Sequence, residues 1–217
     1  MCLISYKRRG SFMVGAVILA AGMSRRMEEG KLLLPFNGHT IIEEVIDNVK
    51  KSKVDFIEIV YGHEGEKIKR IANKKEIVSI YNPDYKKGQS TSVKLGMKNM
   101  PNRIEGVLFI LGDQPFINSF VINRIIDAFY SYKASIVVPL YEGKRGNPVL
   151  FHRKWRESIY SLKGDEGARK ILLQNPDKIR YVEFDDSSYN LDIDTKEDYT
   201  YALSIANKYF LDNKIRI

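Results

Sequence analysis

Two groups of charged residues in this chain are spaced so that together they could work on a phosphate. Lys31 follows a turn of small residues, Ala20-Ala21-Gly22, and the intervening stretch adds Ser24, Arg25 and Arg26. Small side chains let backbone N–H groups approach an anion without a Cβ in the way, and the hydroxyl and cationic groups supply further donors. The second group is carboxylate: Asp113 in Gly112-Asp113-Gln114-Pro115, with Asp192 and Asp194 near the end of the chain. Carboxylate oxygens suit Mg2+, which keeps waters and shares substrate phosphates. A cationic loop combined with carboxylates at strand ends points to phosphoryl or nucleotidyl transfer, where the enzyme aligns a nucleophile and neutralises charge.

Each of these residues also has a purely structural reading. Asp113 could simply form a turn before Pro115, and Asp194 with Glu197 fits a D-x-x-E cap of the last helix. Asp192 has no such explanation. The loop is not a Walker A sequence, because Gly30-Lys31 is followed by Leu32. It is not a dinucleotide fingerprint either, since only Gly22 falls in the turn.

The elements that must position these groups follow from periodicity. Val14 to Leu19 is β-branched and nearly all apolar, as a central parallel strand covered on both faces requires. Thr40 to Lys51 has apolar residues at helical spacing, with Thr40 and Glu43 placed as a capping box. Strands at Phe56–Val60 and Ile77–Ile80, separated by a basic helix over 64–72, complete a β-α-β-α-β pattern. That pattern predicts an α/β fold with a mostly parallel, doubly wound sheet. Asn82 to Met97 reads as a polar loop turning into a helix capped by Ser90, Thr91 or Ser92. Further strands are expected at Val107–Leu111, Ser135–Val138 and Tyr181–Phe184, with helices over 118–130 and 162–175. Asp165 is expected to cap the second of those helices. Tyr141 to Phe151 reads as a basic loop or a hairpin turn.

The chain has 217 residues, enough for one well-cored domain, expected over 14–210. Met1 to Met13 is expected to be a disordered extension, with Met13 a second possible start. Lys and Arg number 35 against 27 acids, a balance of +8 that favours anionic partners. Without a dense basic block, a nucleotide triphosphate accounts for that charge better than nucleic acid does. The single cysteine, Cys2, excludes an internal disulfide and fits a reducing compartment. No apolar run approaches membrane-spanning length, and a cytoplasmic protein is expected.

The stretch LAAGMSRRMEEGK resembles the LAAG-x-S-x-R-M-G-x-x-K signature of nucleotidyltransferases with the nucleotide-diphospho-sugar transferase fold, with Glu28 in place of the signature's glycine. Among these the chain is most similar to the molybdenum cofactor cytidylyltransferases, and the resemblance extends from Val14 to about Tyr201. It implies a three-layer α/β/α, Rossmann-like architecture. It also implies a nucleotide seat made by Leu19, Ala20, Ala21, Gly22, Ser24 and Arg25, together with Gly62 and the Asn82, Ser90 and Ser92 segment. The sequence GDQP resembles the family's metal motif, and Asp192-Ile193-Asp194-Thr195 its DIDT segment, so Asp113 and Asp192 are the implied ligands of Mg2+ or Mn2+. Lys31 and Arg26 are then the cations that stabilise the α-phosphate. Gln114, the loop residues Arg145, Gly146, Asn147 and Pro148, and Arg169 in GDEGAR are the implied acceptor contacts.

What the resemblance implies is CTP plus the phosphorylated molybdopterin cofactor giving the cytosine dinucleotide form and pyrophosphate. Ala20-Ala21, where guanylyl relatives carry Ala-Gly or Gly-Gly, leans toward CTP over GTP. The alternatives are a guanylyltransferase for the same cofactor and a sugar- or polyol-phosphate nucleotidyltransferase. A non-catalytic carrier that inserts the cofactor into a molybdenum hydroxylase is the reading from a different class.

Overall fold

The computed structural model describes residues 13–22, 30–63, 65–165 and 167–214. The extension expected over 1–13 lies outside these residues except for Met13. Chain order begins with β1 (Met13–Ala20), a single 3-10 turn at Lys31–Leu33, and a short hairpin of β2 (Pro35–Phe36) and β3 (His39–Thr40). It continues through α1 (Ile41–Lys50), β4 (Phe56–Tyr61), α2 (Gly65–Lys74), β5 (Val78–Tyr81), α3 (Gln89–Asn99), β6 (Ile104–Leu111) and α4 (Ser119–Ser131). The second half holds β7 (Ile136–Tyr141), β8 (Lys144–Arg145), β9 (Val149–His152), α5 (Arg156–Tyr160), α6 (Arg169–Gln174), β10 (Ile179–Phe184) and α7 (Lys196–Lys214).

The main sheet runs β10-β7-β9-β6-β1-β4-β5, with β8 beside β7. β1 pairs in parallel with both β6 and β4, so it sits at the centre as its apolar sequence demands. Its side chains alternate between the two faces. Val14, Ala16, Ile18 and Ala20 join the layer containing α1, α2 and α4, while Val17 joins the layer containing α3, α5 and α6. This is the α/β/α arrangement implied by the resemblance. β9 is the exception to parallel pairing, running antiparallel to both β6 and β7. α7 closes one end of the molecule through Ala202 and Ala206, packed with Phe36, Ile41 and Ile193.

Most expected elements form where periodicity places them, including the Thr40–Glu43 capping box on α1. Three expectations are corrected. The last helix is capped by Thr195, whose hydroxyl accepts from Asp198 N at 3.1 Å while Asp198 returns a bond to Thr195 N at 2.8 Å. The box therefore works one residue later than Asp194–Glu197, and Asp194 is not the cap. The helix expected over 162–175 shrinks to α6, because Gly164 and Gly167 take positive φ of +58 and +52 and break its first half. Asp165 accordingly does not cap α6, which has no side-chain cap. The basic loop of 141–151 is a hairpin: Glu142 and Gly143, both at positive φ, turn β7 into β8.

One ionisable side chain is enclosed completely between the sheet and a helix. Glu58 on β4 is fully buried beneath α3; a Cβ on Gly96 would lie 3.2 Å from its Oε1. Neither carboxylate oxygen has a hydrogen-bond partner. Desolvation pushes its pKa from 4.5 up to about 8, so the folded chain holds a proton that the unfolded chain releases. Stability is then greatest below about pH 4.5 as far as this group is concerned, and is lost progressively as pH rises through about 8. The full loss is on the order of 5 kcal/mol. Glu58→Gln, which keeps the shape without the titration, is expected to raise the urea midpoint above wild type at about pH 8.5, with the gap closing toward pH 4.5. Equal midpoints at alkaline pH would show that Glu58 is relieved in some other way.

Candidate active site

The carboxyl ends of β1 and β6 lie side by side, with Leu19 opposite Leu111 and Gly112 N donating to Leu19 O at 3.0 Å. The small-residue turn and the Gly112-Asp113 turn therefore open onto one crevice, where open α/β sheets bind ligands. A Cβ on Gly112 would stand 3.1 Å from that same Leu19 oxygen, which explains glycine at the crossing. A third segment joins them: Ile193, fully buried, donates its N–H to Asp113 O at 3.2 Å and so holds Asp192 and Asp194 at the crevice.

Lys31 ends in this group. Its Nζ lies 2.5 Å from Asp113 Oδ2 and 2.7 Å from Asp194 Oδ1, and the residue is only 9% exposed. Burial pulls the lysine pKa down, but the charge and hydrogen bonds of Asp113 and then Asp194 outweigh it and raise the value. The ammonium thus stays charged. Asp192, which keeps an exposed surface, is pushed up to about 6 by desolvation and by the like charges of Asp113 and Asp194. Because it remains open to solvent, the crowding of like charge is the part of that shift that bears on function. Asp113 Oδ1 is buried and has no hydrogen-bond partner. Among the described residues no three His, Cys, Asp or Glu side chains already converge as a metal cage.

Above this group opens a cavity of about 440 Å³, lined by Leu19, Ala21, Gly22 and Lys31 on one side and by Tyr85, Gln89 and Ser92 of the α3 region on another. Ala20 is not part of its wall; it is 2% exposed and packs in the core. Ser24, Arg25 and Arg26, and Glu28 with them, lie outside the described residues. Gly62, Asn82 and Ser90 support the wall rather than line it. A Cβ on Gly62 would lie 2.6 Å from the Tyr85 side chain, so glycine is what lets Tyr85 take its place. The buried Asn82 amide donates to Thr91 Oγ1 and Ser92 Oγ, each at 2.9 Å, and its oxygen accepts from Asp84 N.

The serines do not cap α3 either. Its N-cap is Gly88 at φ +109, and the donor at Gln89 N is satisfied at 3.0 Å by Asp165 Oδ1, a residue far along the chain. Gly164 O accepts from Ser90 N at 3.0 Å, so the 164–165 turn is docked on the start of this helix. Behind it lies a second cavity of about 540 Å³, lined by Arg145, Gly146, Asn147 and Arg169 with an apolar wall including Val138 and Leu172. The two cavities share Gln89 and Asp165. Pro148 is buried behind its neighbours, and Gln114 is fully buried beside Asp192, so neither lines either cavity.

Residues 16–179 match the family model described as the MobA-like NTP transferase domain. The chain belongs to this family. It is 29% identical to the molybdenum cofactor cytidylyltransferase of Escherichia coli strain K12 over 190 residues, covering 87% of this chain and 95% of that one. It is 28% identical to a Bacillus cytotoxicus protein named "Probable molybdenum cofactor guanylyltransferase", covering 90% and 98%. A Mycobacterium tuberculosis H37Rv structure solved in complex with manganese superimposes with a TM-score of 0.75 at 25% identity, covering 88% and 98%. As a family member the chain is a nucleotidyltransferase with the nucleotide-diphospho-sugar transferase fold.

Sequence reading missed Tyr85, Lys86, Gln89 and Asp194 as cavity residues. The first three stand inside the NPDYKKGQ segment already singled out, so proximity to that motif was the available signal. Asp165→Ala should remove the α3 cap and lower stability by about 1 kcal/mol, with Asp165→Asn retaining most of it. Urea unfolding checks this; three coincident curves would mean that Gln89 N needs no side-chain partner.

Proposed function

We propose that this chain transfers CMP from CTP to the phosphate of the molybdopterin cofactor, releasing pyrophosphate. The observation that carries the reading is the buried, unpartnered Asp113 Oδ1 beside Lys31, at the foot of a cavity that adjoins a second one. Ala21, Gly22 and Lys31 would face the triphosphate, and Ser92, Gln89 and Tyr85 the nucleoside, with Arg26 as a second cation on the α-phosphate. Arg145, Asn147 and Arg169 would hold the acceptor in the adjoining space, where the apolar wall suits a ring system and the arginines suit a phosphate.

The donor set fits a divalent cation: hard carboxylate oxygens, one of them orphaned in the interior, with Asp192 and Asp194 crowding negative charge around it. Asp113 and Asp192 would hold Mg2+ or Mn2+, which when bound supplies charge neutralisation for the triphosphate. In the reaction an oxygen of the acceptor phosphate forms a bond to the α-phosphorus, and the bond from that phosphorus to the bridging oxygen breaks. Pyrophosphate leaves with the electron pair. The acceptor oxygen is already ionised, so no side chain has to take a proton. Lys31 and Arg26 act by stabilising the developing charge.

GTP is the second reading, supported by a guanylyl relative nearly as similar as the cytidylyl one. A cytoplasmic location and delivery of the product to a molybdenum hydroxylase complete the proposal; among the described residues no helix is long and apolar enough to cross a membrane. Pyrophosphate release by purified protein with Mg2+ and the cofactor should be faster with CTP than with GTP. Asp113→Ala should lower that release by about 100-fold or more without loss of the folded far-UV spectrum. Faster release with GTP would reverse the base assignment, and undiminished release by the variant would remove Asp113 from the metal.

A further inference from the structure

The Lys31 ammonium is already hydrogen-bonded to two carboxylates of the crevice, one of them the Asp113 that carries the orphaned oxygen. It donates to Asp113 Oδ2 at 2.5 Å and to Asp194 Oδ1 at 2.7 Å, and it is almost wholly enclosed. A divalent cation drawn to Asp113 Oδ1 would therefore approach a fixed positive charge that shares the same carboxylate. Like charges so close repel strongly in surroundings poorer in water than bulk solvent. Lys31 gains nothing by leaving for solvent, since that would strand buried carboxylate oxygen without its partner. A triphosphate changes this balance, because it brings anionic oxygens that the ammonium and a metal can both use.

We infer that Lys31 is the metal site's internal counter-ion: it keeps free divalent cations out of the empty enzyme and yields Asp113 to metal only when a nucleotide's phosphates arrive to receive the ammonium. This inference rests on the proposed metal at Asp113. Metal and nucleotide binding are then strongly coupled, each raising the other's affinity by the same factor. Asp194 acts as a tether on this scheme: a second carboxylate on the ammonium lets Lys31 release Asp113 without being lost from the crevice. Asp194 is thereby a positioning residue, working through Lys31.

The test is Mn2+ binding in the absence of nucleotide, followed by electron paramagnetic resonance for wild type, Lys31→Met, Lys31→Arg and Asp113→Asn. Lys31→Met is expected to bind free Mn2+ at least about tenfold more tightly than wild type, a gain of about 1.4 kcal/mol. Lys31→Arg, which keeps a counter-ion, should stay near wild type. Asp113→Asn should bind poorly whatever residue stands at 31. Unchanged or weaker Mn2+ binding by Lys31→Met overturns the inference, as does tight binding by Lys31→Arg.

A measurement on the wild type keeps the matter decidable if Lys31→Met does not fold. The side-chain 15N resonance of Lys31 should hold still under Mg2+ alone and move when Mg2+ is added with a non-hydrolysable CTP analogue. Movement under Mg2+ alone, or none in either case, overturns it. Metal-independent turnover by wild type would instead reject the proposed metal, an outcome separate from Lys31→Met failing to change Mn2+ affinity.

Discussion

A lysine ammonium clamped between Asp113 and Asp194 ties together three segments that are distant in sequence: the turn after β1, the turn after β6 and the segment before α7. Each arrives by a different route. Lys31 comes from the single 3-10 turn that follows the small-residue loop, Asp113 from a strand end, and Asp194 from a stretch pinned by the buried Ile193. Neither Lys31 nor Asp113 would be stable alone in so enclosed a place, whereas Asp194 stays half exposed. A lone buried ammonium or carboxylate is strongly disfavoured, and the cluster exists because each charge meets its opposite. The balance is incomplete, since one Asp113 oxygen stays unpartnered and Asp192 is left with a raised pKa. Any further cation drawn to that negative charge has to share Asp113 with the ammonium already on it.

The sheet makes this convergence possible. Parallel pairing of β1 with β4 and β6 delivers all three carboxyl ends to one edge, so turns that follow them share a crevice. The antiparallel β9 then brings the β8 hairpin and the Arg145–Asn147 segment round to the neighbouring cavity. Gln89 and Asp165 stand where the two spaces meet, held there by the bond that caps α3. A nucleotide on one side and a phosphorylated acceptor on the other would thus meet across a boundary built from polar groups.

Much of this was legible in the chain itself because it depends on local rules. The alternation of β1, the Thr40–Glu43 box and the small residues of the turn are each a matter of near neighbours, and each forms as periodicity and capping chemistry require. What could not be read depends on partners far away. The box on α7 could be phased on Asp194 or on Thr195, and it falls on Thr195 while the Asp194 carboxylate accepts from the distant Lys31. The α3 serines looked like caps, yet the cap comes from Asp165 on another loop, across a separation of 76 residues. Gly62 and Asn82 looked like ligand contacts and instead place Tyr85 and Ser92, a distinction that side-chain packing alone decides. Glu58, a charge in the middle of an apolar strand, gave no sign of which face it would take until α3 was laid over it.

The central claim is that one nucleotide is held over the β1–β6 edge by Lys31 and by a cation on Asp113. A crystal structure with Mn2+ and a non-hydrolysable CTP analogue tests it most directly, through the anomalous signal of the metal. The account predicts a metal peak on Asp113, with the triphosphate lying between Lys31 and the Ala21-Gly22 turn. A nucleotide bound elsewhere, with Lys31 still joined to Asp113 and no metal peak beside it, would contradict it.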